Sequence, residues 1–206
     1  MKPLLFILTA VISYLIAGVN SSIILSKMIF KKDIRTCGSG NPGFTNFKRN
    51  FGNKLAMLVL FLDLFKAMIP VALSAFFFRE CSLSWQLGAA YSGLFCMIGN
   101  CFPVWYNFKG GKGFLIYMGI MLLVDWKAWL VAVAVLGILL FSTKYMSLST
   151  MSAACSAVIV LLFTQANIYT ICICAALVLL IIIRHKANIV RLLKGTESKF
   201  YFKKKS

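Results

Sequence analysis

Six stretches of the chain hold residues able to do chemistry, and all six are set among apolar residues. The first, Gly38-Ser39-Gly40-Asn41-Pro42-Gly43-Phe44-Thr45-Asn46, alternates glycines with hydroxyls and amides. Glycine lets the main chain approach a ligand closely, and successive N–H groups can then form a concave seat for a phosphate. Arg49, just downstream, offers a bidentate cation. The second, Phe108-Lys109-Gly110-Gly111-Lys112-Gly113, repeats that logic with two lysines as point charges. No Ser or Thr follows Lys112, so this is not the nucleotide-binding loop of that type. Asp63 and Lys66 stand at i, i+3 within an apolar stretch, where they share a helix face and can pair or serve a site. Gly99-Asn100 comes late in another apolar stretch. Lys144, Tyr145, Ser147 and Ser149 crowd the start of a further one. Near the end His185, Asn188, Arg191 and Lys194 recur at steps of three, the broad polar face of a helix whose apolar side holds Ile189, Leu192 and Leu193. Apart from Gly99-Asn100, each stretch also has a plain explanation: a glycine turn, a basic loop touching anionic lipid, an ion pair fixing helix packing, a helix cap, an interfacial helix.

The elements that would position these residues are membrane spans. Of 206 residues 61% are hydrophobic and 13% charged, about half the charged share of a soluble domain. That much apolar surface needs lipid around it. The pattern predicts an all-α integral membrane protein, a bundle of about seven transmembrane helices forming one domain over 1–206. The stretches are Pro3 to Phe30, Leu55 to Phe78, Leu83 to Trp105, Phe114 to Val124, Trp126 to Phe141, Leu148 to Thr164 and Asn167 to Ile183; the fourth and fifth are short. The polar segment Lys31 to Lys54 separates the first two, and a basic tail runs from Arg184 to Ser206. Residues 3–19 lack a convincing cleavage site and read as the start of the first span rather than a signal peptide.

Charge sets the orientation. There are 22 Lys and Arg against 5 Asp and Glu. Eighteen of the basic residues fall in the loops after spans one, three and five or in the tail; Lys2, Arg79 and Lys127 fall on the other side, and Lys66 within a span. The positive-inside rule then puts the tail in the cytoplasm and the N terminus outside. The same charge suits phosphorylated substrates. It does not suit nucleic acid, because the basic residues lie in short loops rather than on one helix face or a soluble module. One histidine and no Cys-x-x-Cys pair argue against a metal site, and the seven cysteines mostly sit in apolar stretches as small hydrophobes. Lys203, Lys204 and Lys205 read as a solvated tail touching lipid head groups.

Taken in order, these segments resemble the bacterial acyl-phosphate:glycerol-3-phosphate acyltransferases, the PlsY membrane family, over nearly the whole chain. The residues that carry the resemblance are Gly38-Ser39-Gly40-Asn41 with Thr45-Asn46 and Arg49; Asp63 and Lys66; Phe102-Pro103-Val104 with the run Phe108 to Gly113; Tyr145, Ser147, Leu148 and Ser149; and His185, Asn188-Ile189, Arg191-Leu192-Leu193 and Lys194-Gly195-Thr196-Glu197. The resemblance implies a seven-helix bundle in the bacterial cell membrane with its site facing the cytoplasm. It implies transfer of an acyl group from acyl phosphate to the 1-hydroxyl of glycerol 3-phosphate, giving lysophosphatidic acid and phosphate. No metal or cofactor is implied, and the soluble enzyme that makes acyl phosphate is a possible partner. Ser39, Asn41, Asn100 and Lys112 are then the catalytic candidates. Gly38, Gly40, Thr45, Asn46, Arg49, Lys66, Lys109, Gly110, Gly111, Ser147, Asn188 and Arg191 are the candidates for binding substrate or phosphate. The chain departs from the family where Asn100 replaces a histidine, where Phe114, Leu115 and Ile116 replace small residues, and at Phe44, Ala67 and Lys144. Two alternatives stand beside the enzyme: a catalytically inactive or repurposed relative that binds phosphorylated lipid precursors, and a small organic-anion transporter. The chain shows none of the internal repeats common in transporters.

Overall fold

A computed structural model describes residues 2–164 and 166–201. Lys203, Lys204 and Lys205 lie outside the described residues. Among those described, the regular structure is helical: α1 (Lys2–Gly18), α2 (Ser21–Phe30), α3 (Phe44–Phe51), α4 (Asn53–Glu80), α5 (Trp85–Cys101), α6 (Phe114–Val124), α7 (Trp126–Thr143), α8 (Met146–Leu161), α9 (Ile168–Arg184) and α10 (Lys186–Leu193), with short 3₁₀ turns at Ile34–Thr36 and Val104–Tyr106.

Four apolar segments are long enough to cross a bilayer: Lys2–Phe30, Asn53–Glu80, Trp85–Tyr106 and Trp126–Thr143. The bent pair α9–α10 makes a fifth. Helices α6 and α8 are apolar but shorter, at 11 and 16 residues. Large apolar side chains stay exposed along α1 (Ile7, Val11), α4 (Phe61, Phe65, Ile69) and α7 (Ile138, Phe141), the surface that lipid would cover.

Inside the bundle α1 and α4 pack on α5, α4 and α5 on α6, α7 on α8, and α5 and α8 on α9. The contact surfaces are rich in small residues: Ala17, Ala89, Ala90, Ala153, Ala154 and Ala157 are fully buried, and Ser13 and Ser92 share a buried 2.7 Å hydrogen bond between α1 and α5. Small residues let helix backbones close on each other where no hydrophobic drive separates helix from lipid.

The first apolar stretch is not one continuous helix. It breaks at Val19–Asn20, where the Asn20 side chain accepts from the Ile23 N–H and caps α2. The break frees the Val19 carbonyl, which accepts from Lys66 Nζ at 2.8 Å, and Asn20 Nδ2 reaches the Pro42 carbonyl at 3.1 Å. Its result is to tie α4 and the first polar loop to one point.

Candidate active site

The polar segment after α2 folds around Asn46, which is almost fully buried. Its Nδ2 donates to the carbonyls of Cys37 (2.9 Å) and Ile34 (3.4 Å); its Oδ1 accepts from Ser39 N and Asn50 Nδ2. Gly38 runs through the turn at φ +54°, and a Cβ there would fall 2.5 Å from Asn46 Oδ1, so neither the backbone nor the space admits a side chain. Asp33 anchors the other end. The Arg35 guanidinium grips it (2.7 Å) and holds its carboxyl well below the usual range, while Arg35 Nη1 donates to the Tyr106 carbonyl at 3.3 Å. That contact joins the first polar loop to the second.

The second loop is threaded against the end of α5. Gly110 N bonds Cys101 O and Gly111 N bonds Asn100 O, at 3.2 and 3.0 Å. A Cβ on Gly110 would fall 2.1 Å from the Asn100 carbonyl oxygen, so only glycine permits the approach. From the other side Arg184, at the end of α9, donates to the carbonyls of Gly110 (2.9 Å) and Gly111 (3.1 Å).

These loops and the ends of α4, α7, α8 and α10 enclose a cavity of about 760 Å³. Ser39, Asn41, Thr45, Asn46, Arg49, Asn100, Gly111, Lys112, Ser147, Asn188 and Arg191 line it. Gly38, Gly40, Lys66, Lys109 and Gly110 do not. The glycines shape the loops from behind. Lys66 sits beneath the floor, paired with Asp63 at 2.9 Å and donating to Asn100 Oδ1 at 3.1 Å. Asp63 lines the cavity and also accepts from Ser21 at 3.0 Å. Lys109 is exposed and its side chain makes no hydrogen bond or ion pair among the described residues, because the turn at Asn107–Phe108 carries it outward. The carboxamide of Asn46 is spent on the loop, so its contribution is the shape of the seat.

Electrostatics make the cavity positive. Arg49, Lys112 and Arg191 all face it. The first turns of α3, α6 and α8 also begin at its wall, and their caps, Gly43, Gly113 and Tyr145, give no side-chain hydrogen bond. By contrast α2, α5, α7 and α9 are capped by Asn20, Ser84, Asp125 and Asn167. Helix N-termini left open around one space turn unsatisfied N–H groups and positive dipole ends toward it. Burial pulls the ammonium of Lys112 down to about 8, with the negative charge of Glu197 opposing and the cations Arg191, Arg184 and Arg49 adding to the fall. Lys112 donates to Asn188 Oδ1. Met57, Leu60, Phe114, Leu115, Leu136 and Leu140 give the same cavity an apolar share of its lining.

Arg184, behind the second loop, and Glu197, in the cavity wall, were not among the sequence candidates. Arg184 was read as one more positive charge of the tail. Glu197 was read only as part of a motif. Yet it is the single acid after Asp125 in a chain of net charge +17, and that isolation was a usable signal.

The glycerol-3-phosphate acyltransferase family model matches residues 7–195. A glycerol-3-phosphate acyltransferase of Bartonella henselae is 37% identical over 188 residues, covering 91% of this chain and 88% of that protein. One of Finegoldia magna is 35% identical over 200 residues, 97% and 98% of the two chains. Among solved structures, the glycerol 3-phosphate form of PlsY, an integral membrane glycerol 3-phosphate acyltransferase, superposes with a TM-score of 0.88 at 31% identity, covering 95% of this chain and 96% of that one. The lysophosphatidic acid form gives 0.84 at 32% identity, with 95% of each chain covered.

Proposed function

The chain belongs to the glycerol-3-phosphate acyltransferase family, integral membrane enzymes that acylate glycerol 3-phosphate for phospholipid synthesis, and on that premise we propose how its cavity carries out the transfer. The donor is an acyl phosphate, and the acyl group passes to the 1-hydroxyl, giving lysophosphatidic acid and inorganic phosphate. The observation that supports this is the cavity's mixed lining. The cations Lys48, Arg49, Lys112 and Arg191 and the uncapped first turns of α3, α6 and α8 share it with apolar side chains from α4, α6 and α7. Two phosphates and one hydrocarbon chain need such a space.

In this reading Lys112, Arg49 and Arg191 bind phosphate, with Ser147 and Asn188 beside them. Ser39, Asn41 and Thr45 orient the glycerol hydroxyls or the acyl carbonyl, and the acyl chain lies toward Leu136 and Leu140. Acyl phosphate is already activated, so the protein's work is to hold two anions together and to stabilise charge growing on the carbonyl oxygen. Asn100 contributes a donor: its Oδ1 is taken by Lys66, so it offers Nδ2 to an oxyanion and cannot accept a proton. The proton of the attacking hydroxyl goes instead to a phosphate oxygen of the acyl phosphate. The C–O bond to the acyl group forms, the bond to phosphate breaks, and phosphate leaves protonated.

The seven-helix bundle, with α6 and α8 as short spans, the N terminus outside and the cavity facing the cytoplasm, belongs to the same proposal; the basic loops support it. The experiment is phosphate release by purified protein in lipid, given palmitoyl phosphate with and without glycerol 3-phosphate. Release that needs glycerol 3-phosphate and yields lysophosphatidic acid is expected. No release from a protein that still binds glycerol 3-phosphate would overturn the reading in favour of a repurposed relative.

A further inference from the structure

After α10 the chain turns at Gly195 and runs back across the mouth of the cavity. The Phe200 ring is buried and its N–H donates to the Lys144 carbonyl at 2.7 Å; Lys48 Nζ donates to the Tyr201 carbonyl at 2.9 Å, and Arg49 Nη2 to the Ser198 carbonyl at 3.3 Å. The segment therefore bridges α3 and the α7–α8 turn, and in doing so it delivers Glu197 to the cavity wall.

We infer that Glu197 is a positioning residue of this enzyme: it turns Asn188 toward Lys112 and supplies the negative charge that Lys112 faces. The inference rests on the assignment of Lys112 to phosphate binding made above.

The orientation argument is stereochemical. Glu197 Oε1 accepts from Asn188 Nδ2 at 2.6 Å and from Ser147 Oγ at 2.7 Å, and Oε2 accepts from Arg191 Nε at 2.7 Å. An ionised carboxylate only accepts, so it fixes Asn188 with its NH₂ inward and its oxygen outward. That outward oxygen receives the Lys112 ammonium. A group that donated to Asn188 instead would reverse the carboxamide and put two donors face to face.

The charge argument counts every group around Lys112. Arg49 faces it from α3, Arg184 and His185 from the end of α9, and Arg191 from α10; all but His185 are cations. Asp63, on α4, lines the same cavity but is paired with Lys66. Of the two acids that line the cavity among the described residues, Glu197 is the one that acts on Lys112. Burial would push its carboxyl up, but the bonds from Asn188, Ser147 and Arg191 outweigh that and hold it below the ordinary range, so the charge is present throughout the working pH span. With its side chain only 7% exposed and three donors satisfied, it is a fixed part of the wall. A plain staple for the tail would need the Arg191 pair alone.

The test reads Lys112 directly, in ¹³C-lysine-labelled protein in detergent, with the signal assigned by Lys112→Arg. In the unaltered protein the titration midpoint is expected at about 8. In Glu197→Gln it should fall by about one pH unit or more, the usual effect of losing a neighbouring opposite charge, and in Glu197→Asp it should stay. The alkaline limb of kcat/KM for glycerol 3-phosphate should move with it, and on that limb, well above pH 8, KM should rise about tenfold. An unmoved midpoint in Glu197→Gln overturns the inference, whatever happens to thermal stability. Should that variant not fold, Arg191→Gln serves: removing a repelling cation should raise the midpoint, and a midpoint that stays in place again overturns it. The two proposals fail separately. A shifted midpoint in a protein without turnover would sink the acyltransferase reading and keep the coupling. Turnover with an unmoved midpoint would do the reverse.

Discussion

Removing the ammonium of Lys112 is the sharpest single perturbation of the site. Lys112 is half-buried, faces the cavity, and bonds no carboxylate among the described residues; its partner is the neutral Asn188 oxygen. Its charge is thus available to a substrate phosphate. At about 4 Å and an effective dielectric of about 20, one such pair is worth about 4 kcal/mol. A charge-assisted hydrogen bond measured by deletion is worth about 2 to 3 kcal/mol. Lys112→Ala should therefore lose about 2 to 4 kcal/mol of transition-state binding, roughly 30- to 1000-fold in kcat/KM. Folding should survive, because what is removed is a partly desolvated cation that the folded state disfavours. The sign follows from its lowered midpoint: below about 8 the folded protein holds a proton that burial makes costly, and that cost begins to fall as pH rises past 8 and is gone only above the ordinary lysine value of 10.5. The same midpoint predicts that kcat/KM of the unaltered enzyme falls above pH 8, and that Lys112→Arg, always charged, removes that fall even if it is slower. The assay is glycerol 3-phosphate-dependent phosphate release from palmitoyl phosphate, with thermal unfolding measured alongside. Turnover within threefold of the parent would refute the placement of Lys112 at the phosphate, and so would an alkaline limb that persists in Lys112→Arg.

Three further outcomes follow from the same geometry. Gly110→Ala should cost at least about a hundredfold in activity and several degrees in melting temperature, since its Cβ would overlap the Asn100 carbonyl and push the second loop away from Arg184. Lys109→Ala, exposed and outside the cavity, should leave kcat/KM within about twofold in the same release assay, in line with surface substitutions generally. Leu140→Trp, on the apolar wall, should shift preference toward short donors, lowering the palmitoyl-to-octanoyl ratio of kcat/KM about tenfold, a change that requires the acyl chain to lie where Leu140 is.

Much of the frame was legible because lipid imposes a simple code. The stretch Phe114 to Val124 and the start at Trp126 are where the structure puts α6 and α7, with Asp125 between them capping the second. Bilayer hydropathy and a capping carboxylate are local signals, and a sequence shows local signals directly. The break at Val19–Asn20 was hidden because both flanks are apolar; what marks it is a bond to Lys66, 47 residues away in the chain. Helix α3 was hidden inside a segment read as polar loop, although Phe44, Phe47 and Phe51 give it the i, i+3, i+7 stripe of an amphipathic helix. The reversal at Asn107–Phe108 uses two successive non-glycine residues at positive φ, which composition does not announce. It decides that Lys112 faces the cavity and Lys109 does not. Residue types alone made the two lysines equivalent.

In the proposed reaction Asn100, standing where the resemblance implies a histidine, becomes intelligible against the rest of the wall. A histidine could offer a donor, an acceptor or a charge; the carboxamide, with its oxygen held by Lys66, keeps the donor and gives up the other two. A donor is what a developing oxyanion needs. The charge is already present in Arg49, Lys112 and Arg191, and in the open first turns of α3, α6 and α8. The acceptor is present in the substrates themselves, whose phosphate oxygens would lie within the same cavity as the attacking hydroxyl. An acyl phosphate also carries a good leaving group, so little proton transfer has to be complete when the new bond forms. What this chemistry requires of the protein is a fixed array of positive charge and donors that does not rearrange during reaction. The close-threaded glycines behind the second loop, the Asn46 knot behind the first, and the tail folded across the mouth are the parts of this sequence that hold such an array still.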